Sequence, residues 1–162
     1  MKANTRSVFT LMVDNEFGVL TRITALIRRW GWNIRSLAVA ETKTPEISRL
    51  TVCLECRHFS LEHVLEKLST LNCVREVTLY EEETQVSREF ALLRLSCGES
   101  LLAGLCERCD ARVLEREADG SVILTVSAQP DELDALVAEL AGKGLADIAR
   151  TGAIALRRGR EV

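Results

Sequence analysis

The order of strand-like and helix-like segments constrains this chain more than any single motif. Apolar residues alternate in some segments and recur every three or four positions in others. The segments of the first half, in order, are a strand Ser7–Val13, a helix Val19–Trp30, strands Ile34–Ala40 and Arg49–Leu54, a helix Leu61–Leu71 and a strand Val74–Tyr80. This order is the split-βαβ, or ferredoxin-like, arrangement.

The second half repeats the same order. Its segments are a strand Phe90–Leu95, a short helix around Leu101–Leu105, strands Ala111–Glu117 and Ser121–Ser127, a helix from Pro130 to Leu140 and a strand Ile148–Leu156. Asp119-Gly120 between the two middle strands is a hairpin-turn signal. We therefore predict an α+β fold of two tandem ferredoxin-like βαββαβ domains. They occupy residues 5–80 and 88–162, and a linker at 81–87 that begins with Glu81-Glu82-Glu83 joins them.

Composition narrows the class of protein. A chain of 162 residues split into two domains gives each a small core, which favours an oligomer. The net charge of −3 and the absence of a basic stripe exclude a nucleic-acid partner, including the RNA-binding use of ferredoxin-like sheets. Neither a signal peptide nor a run of about 18 apolar residues is present, so we expect a cytoplasmic protein with no membrane partner.

Six cysteines raise the question of a metal or thiol site. Cys53 and Cys56 lie in a strand pattern, where a spacing of three points the side chains to opposite faces. Cys106 and Cys109 fall on a predicted helix, where they would share a face. A zinc site needs both pairs to converge. We therefore expect no metal, and small, buried, reduced cysteines.

Catalytic motifs are missing. His58 falls in a predicted loop and His63 on the polar side of a helix, and neither has a recognisable nucleophile motif nearby. No glycine-rich phosphate loop is present. The three consecutive glutamates at 81–83 suit a solvated hinge better than acid–base catalysis.

The turn before the first helix is the most informative segment. A helix N-terminus carries unpaired N–H groups and partial positive charge, so it can accept a carboxylate. Gly18 allows close approach to the backbone, and Asn15 offers a donor and an acceptor. Asn33, at the far end of the helix, could reach Asn15 only across a two-fold dimer. The simpler alternative is that Asp14 or Asn15 only caps the helix.

Several collinear runs resemble one family. They are Asp14–Ile23 (DNEFGVLTRI), Arg29–Leu37 (RWGWNIRSL), Pro45–Thr51 (PEISRLT), Val86–Leu92 (VSREFAL) and Ile148–Leu156 (IARTGAIAL) followed by Arg158-Gly159. They are spread from residue 14 to residue 159, in order along nearly the whole chain, and they resemble the regulatory (small) subunit of acetolactate synthase, whose first domain is an ACT domain.

This resemblance implies a protein without an active site of its own. It implies binding to a separate catalytic subunit, activation of that subunit, and feedback inhibition by a branched-chain amino acid, usually valine. Thiamine diphosphate, Mg and FAD are then expected in the catalytic subunit, and no cofactor in this chain. ACT domains pair, so a homodimer is implied, with the effector at its interface.

The family's effector-contacting positions map onto this chain. The residues expected to bind the effector are Asn15, Phe17, Gly18, Val19, Leu20, Asn33 and Ile34. The asparagines and the Gly18 backbone would hold the polar groups, and the aliphatic residues would contact the side chain. Phe17 departs from the family, which usually has a small residue or proline there, and is expected to narrow the pocket or form its wall.

Two further departures concern other regions. Arg35 replaces an acidic residue that is usual in the family, and the segment Cys97–Arg112 is shorter than usual, so we expect the first helix of the second domain to be cut back.

An alternative function is a free-standing ACT-type sensor acting on another enzyme or regulator. A small thiol enzyme that uses Cys106 is a further alternative.

Overall fold

A computed structural model describes residues 5–56, 61–79 and 84–159. The elements of the first half are β1 (Thr5–Asp14), α1 (Val19–Arg29), β2 (Asn33–Glu41), β3 (Ile47–Cys56), α2 (Leu61–Ser69) and β4 (Val74–Leu79). The strands form one four-stranded antiparallel sheet in the order β2-β3-β1-β4. This is the predicted ferredoxin-like domain.

Alternation along β1 explains how the first core forms. Phe9, Leu11 and Val13 are buried on one face of the sheet, because successive side chains of a strand point to opposite faces. Ile23 and Ile27 of α1 pack onto that face, one helical turn apart. Each of these large side chains contributes about 1.5–3 kcal/mol by leaving water.

The end of α1 is set by Gly31. Its φ of 71° is the left-handed conformation that follows many helices and that suits glycine. The Gly31 N–H donates to the carbonyl of Arg28 (2.9 Å), and the Trp32 N–H donates to that of Ile27 (3.1 Å). This pair of hydrogen bonds is a Schellman motif, in which the glycine follows the end of the helix.

The second half repeats the topology. Its elements are β5 (Gln85–Leu95), α3 (Glu99–Arg108), β6 (Asp110–Arg116), β7 (Val122–Ala128), α4 (Pro130–Leu140) and β8 (Leu145–Arg157). The sheet order is β6-β7-β5-β8, which matches that of the first half, so the predicted fold class is confirmed. Pro130 begins α4, and Gln129 and Glu132 form a reciprocal capping box at its start.

Several expected element bounds differ from the structure. β5 begins at Gln85 rather than Phe90, so Gln85–Ser87 belongs to a strand although it was expected in the linker. The helix α3 has ten residues, Glu99–Arg108, and the expectation that it is shorter than usual in the family stays a prediction. The helix α2 ends at Ser69, although Leu71 still packs on the core. Residues 81–83 of the predicted linker and the strand end Tyr80 lie outside the described residues.

The cysteines differ partly from expectation. Cys53 and Cys73 are buried, as expected, but Cys106 is exposed. Cys109 lies beyond the end of α3 with an extended backbone, so the predicted helical Cys106/Cys109 pair is wrong. Within the described ranges, no group of three or more His, Cys, Asp or Glu side chains could hold a metal ion.

The chain divides into two compact units. One comprises Met1–Val86 with Ile154–Val162, and the other comprises Ser87–Ala153. The predicted domain borders, 5–80 and 88–162, remain a prediction. In the part of the chain that the structure describes, none of the helices has the length and apolarity required to cross a membrane.

Candidate functional site

The turn between β1 and α1 presents an uncapped helix N-terminus. Gly18 is the N-cap residue, with a φ of 81° and no side-chain cap. Its carbonyl accepts the first helical hydrogen bond from the Arg22 N–H (3.0 Å). The alternative that Asp14 or Asn15 is the cap is therefore wrong. The partial positive charge of the helix start faces outward at a residue without a Cβ.

The side chain of Asn15 connects this turn to the β2–β3 loop. Its Nδ2 donates to Glu41 Oε1 (3.2 Å) and to the carbonyl of Pro45 (2.9 Å), and its Oδ1 accepts from the Ser48 hydroxyl (3.0 Å). The Asn15 backbone N–H donates to the carbonyl of Glu46 (2.8 Å). The amide plane is thus held in one orientation beside the helix start.

Asp14 fixes the other side of the turn. Its carboxylate accepts a 2.6 Å hydrogen bond from Arg75 Nε on β4, and its backbone N–H donates to the carbonyl of Cys73. With Asn15 bound to the hairpin loop on one side and Asp14 bound to β4 on the other, the turn is anchored to two neighbouring parts of its domain.

Apolar side chains stand beside the uncapped helix start. Phe17 is fully exposed, and Leu20, three residues further on, is 43% exposed. Val19 differs, because it is only 4% exposed and packs in the core of its own domain. The turn therefore combines a positively polarised backbone with exposed apolar surface, which matches a ligand that carries a carboxylate and an aliphatic group.

Asn33 lies at the opposite end of the sheet. It is exposed at the start of β2, where it pairs in register with Glu55 and donates from Nδ2 to Glu55 Oε2 (3.3 Å). Glu41, which contacts Asn15, ends the same strand eight residues later, roughly 26 Å away. Asn15 and Asn33 therefore do not meet within one chain, as expected. Ile34, next to Asn33, is half-buried against the core.

In the second half, the family-like motif residues form an ion-pair cluster. Glu89 is only 5% exposed and accepts hydrogen bonds from Arg150 Nε (2.8 Å) and from one terminal nitrogen (2.7 Å). The other terminal nitrogen donates to Asp134 Oδ1 (2.6 Å). The hydrogen bonds with Glu89 raise the pKa of Arg150 further above its ordinary range. The cluster joins β5, β8 and α4.

His63 is less exposed than its sequence position suggested. Its ring meets the ring of Trp30 edge-on, with 5.1 Å between centroids, and Trp30 also stacks on Trp32 at 6.1 Å. His63 Nδ1 lies 3.7 Å from Glu66 Oε2. His63 thus packs between helices rather than beside a nucleophile. His58 lies outside the described residues.

Two family models match the chain in sequence order. Residues 9–76 match the model described as "AHAS small subunit-like ACT domain". Residues 88–159 match the model described as "Small subunit of acetolactate synthase".

Individual proteins agree with the family models. The acetolactate synthase small subunit of Mycolicibacterium smegmatis is 30% identical over 153 residues, which cover 93% of this chain and 89% of that protein. The small subunit of Bacillus subtilis is 31% identical over 160 residues, which cover 96% and 92%. The crystal structure of the small subunit from Thermotoga maritima superposes with a TM-score of 0.83 at 26% identity and covers 97% of this chain and 99% of that one.

Proposed function

Because this chain belongs to the family of acetolactate synthase small subunits, the regulatory and non-catalytic subunits of that enzyme, we propose that it activates a separate catalytic subunit. We further propose that it makes this activity sensitive to a branched-chain amino acid, valine first among them. The match over residues 88–159 supports this function over a free-standing ACT-type sensor, which would share only the first domain.

The proposed effector site is shared between two chains. Asn15 and the Gly18 backbone come from one protomer, and Asn33 comes from its two-fold partner. The observation that carries this proposal is the separation of the two asparagines in one chain, since Asn33 begins β2 whereas Asn15 contacts Glu41 at the end of that strand. A two-fold axis brings such ends together twice and so creates two equivalent sites.

Apolar contacts would come from the rim of this site. Phe17 and Leu20 are exposed beside the helix start. Dimer formation or effector binding would remove their side chains from water. Ile34 accompanies Asn33 from the partner. Val19 is buried in the core of its own domain, so it would pack beneath the site and would not contact the effector directly.

The effector would act by binding one state of the holoenzyme more tightly than another. Chemistry would stay in the catalytic subunit, where thiamine diphosphate, Mg and FAD are expected. Reduced cysteines, among them the buried Cys53 and Cys73, accord with the cytoplasmic location that we propose.

A mixed-dimer experiment tests the shared site. Asn15→Ala and Asn33→Ala each damage both sites of a homodimer. A heterodimer of the two variants keeps one intact site, formed by Asn15 of one chain and Asn33 of the other. We expect each variant alone to bind valine poorly. Co-refolding of the two in equal amounts should restore about one site in four, counted by calorimetry.

A site built within one chain predicts a different result. In that case every chain of the mixture carries a damaged site, and mixing restores nothing. A mixture that binds no better than the separate variants, although wild-type protein binds, would contradict the shared site.

A further inference from the structure

The side-chain amide of Asn15 has no spare N–H group. Both of its N–H groups are used, one toward Glu41 and one toward the carbonyl of Pro45, and its oxygen accepts from Ser48. An effector carboxylate that takes a hydrogen bond from Asn15 must therefore displace one of the two acceptors.

Of the two acceptors, Glu41 is the one that can move. The bond to Pro45 is shorter, at 2.9 Å against 3.2 Å, and involves backbone. That backbone belongs to a loop closed by the Ile47 N–H to Thr44 carbonyl hydrogen bond of 2.9 Å. Glu41 contributes only an exposed, rotatable carboxylate. A rotation of the Asn15 side-chain amide would not free an N–H group for the effector, because the amide oxygen would then face the oxygens of Glu41 and Pro45.

A displaced Glu41 carboxylate still lies next to the ligand. In an α-amino acid, the carboxylate and the ammonium group are attached to the same carbon. A ligand whose carboxylate binds Asn15 and the start of α1 therefore brings its ammonium group close to Glu41. The two opposite charges then pair, whereas a ligand without the ammonium group leaves two carboxylates facing each other.

We propose that Glu41 is a specificity-determining residue that accepts the α-ammonium group of the effector and so restricts the site to amino acids. This inference rests on the proposed function, since it assumes that the effector carboxylate binds at Asn15 and Gly18. It adds a residue outside the set predicted from the sequence.

The test compares ligands with and without the ammonium group. The full-length wild type, Glu41→Gln and Glu46→Gln are titrated with L-valine and with isovalerate, which has the same side chain and carboxylate. Glu46→Gln is the matched control, because it removes an equal charge from an exposed residue of the same loop. NMR titration reaches the weak affinities expected for isovalerate, and thermal unfolding checks that each variant is folded.

We expect E41Q to weaken valine binding by about tenfold or more, the loss that accompanies removal of a charge-assisted hydrogen bond. Isovalerate binding should stay equal or improve, and E46Q should bind both ligands like the wild type. The preference for valine over isovalerate should therefore shrink in E41Q and not in E46Q. This result is required if the Glu41 carboxylate interacts with the ammonium group of valine.

Two results would overturn the role of Glu41. One is an E41Q variant that binds valine as tightly as the wild type. The other is an equal loss for valine and isovalerate, because Glu41 would then only position Asn15. If the wild type itself binds none of valine, leucine and isoleucine, the proposed function fails, and this inference fails with it.

Discussion

The carboxylate of Glu89 and the guanidinium of Arg150 form two hydrogen bonds, of 2.8 and 2.7 Å, across 61 positions of the chain. Glu89 is almost completely buried, and Arg150 is its partner on β8. Loss of the partner leaves a buried charge without compensation, which destabilises a protein more than the pair stabilises it.

We therefore predict that Arg150→Gln lowers the free energy of unfolding by about 2–3 kcal/mol, as measured by urea denaturation. The control is Arg112→Gln, whose exposed partner Asp110 lies 4.0 Å away and whose loss should change stability by less than about 1 kcal/mol. Equal effects of the two substitutions would contradict a structural role for the Arg150 cluster.

The backbone of Gly18 gives a second stability prediction. At a φ of 81° an alanine is strained even though no atom lies near the added Cβ. Gly18→Ala should therefore destabilise the chain by about 1 kcal/mol or more. Gly104→Ala, in the interior of α3 and with equal space, should instead stabilise it by about 0.5–1 kcal/mol. Thermal unfolding of both variants measures the two effects. A change of stability in the same direction at both positions would contradict a left-handed backbone that requires glycine at Gly18.

The hairpin between β6 and β7 predicts a dependence on pH. The side-chain hydrogen bond from Ser121, followed by the one from the Ser121 N–H, holds the pKa of Asp119 below its ordinary value. A lowered pKa in the folded state means that Asp119 contributes stability above its unfolded pKa. That contribution disappears as the pH falls through the folded pKa.

Carboxyl NMR titration should therefore find the pKa of Asp119 below its ordinary value in the wild type. In Ser121→Ala the pKa should rise toward that value, because the hydroxyl donor is gone. An unchanged pKa in the variant would show that the hydroxyl of Ser121 does not hold the carboxylate.

Substitution of Asn33 should separate regulation from activation. It is exposed at the start of β2 and donates only a 3.3 Å hydrogen bond to Glu55 among the contacts described. Its loss should therefore leave the fold and the association with the catalytic subunit intact. Asn33→Ala should weaken inhibition by the amino acid about tenfold or more while activation is kept. Equal loss of inhibition and activation would mean that Asn33 is structural.

The sequence predicted the fold well where one face of an element is apolar. Alternation in β1 and the apolar stripe of α1 were sufficient to identify these elements. An element with one buried face repeats its apolar residues with the period of a strand or of a helix. The start of β5 was missed, because polar residues such as Gln85 and Ser87 resemble a linker although they are half-buried in the strand.

The contacts of the candidate site were less predictable. Sequence reasoning found Asn15 and Gly18 but not the acceptors of the Asn15 amide. Glu41, Pro45 and Ser48 lie 26, 30 and 33 positions further along the chain. The pairing of β1 with β3 brings Pro45 and Ser48 to the turn, and the pairing of β2 with β3 brings Glu41 there. Local spacing carries no information about such contacts, so Glu41 emerged only from the structure.

The central claim is regulation of a catalytic subunit, and reconstitution tests it most directly. The purified chain is mixed with the acetolactate synthase catalytic subunit of the same organism, and valine, leucine and isoleucine are titrated in turn. We predict that acetolactate formation rises on mixing and then falls as one of the three amino acids is added. Activity that neither rises on mixing nor falls with any of the three would contradict the proposed function.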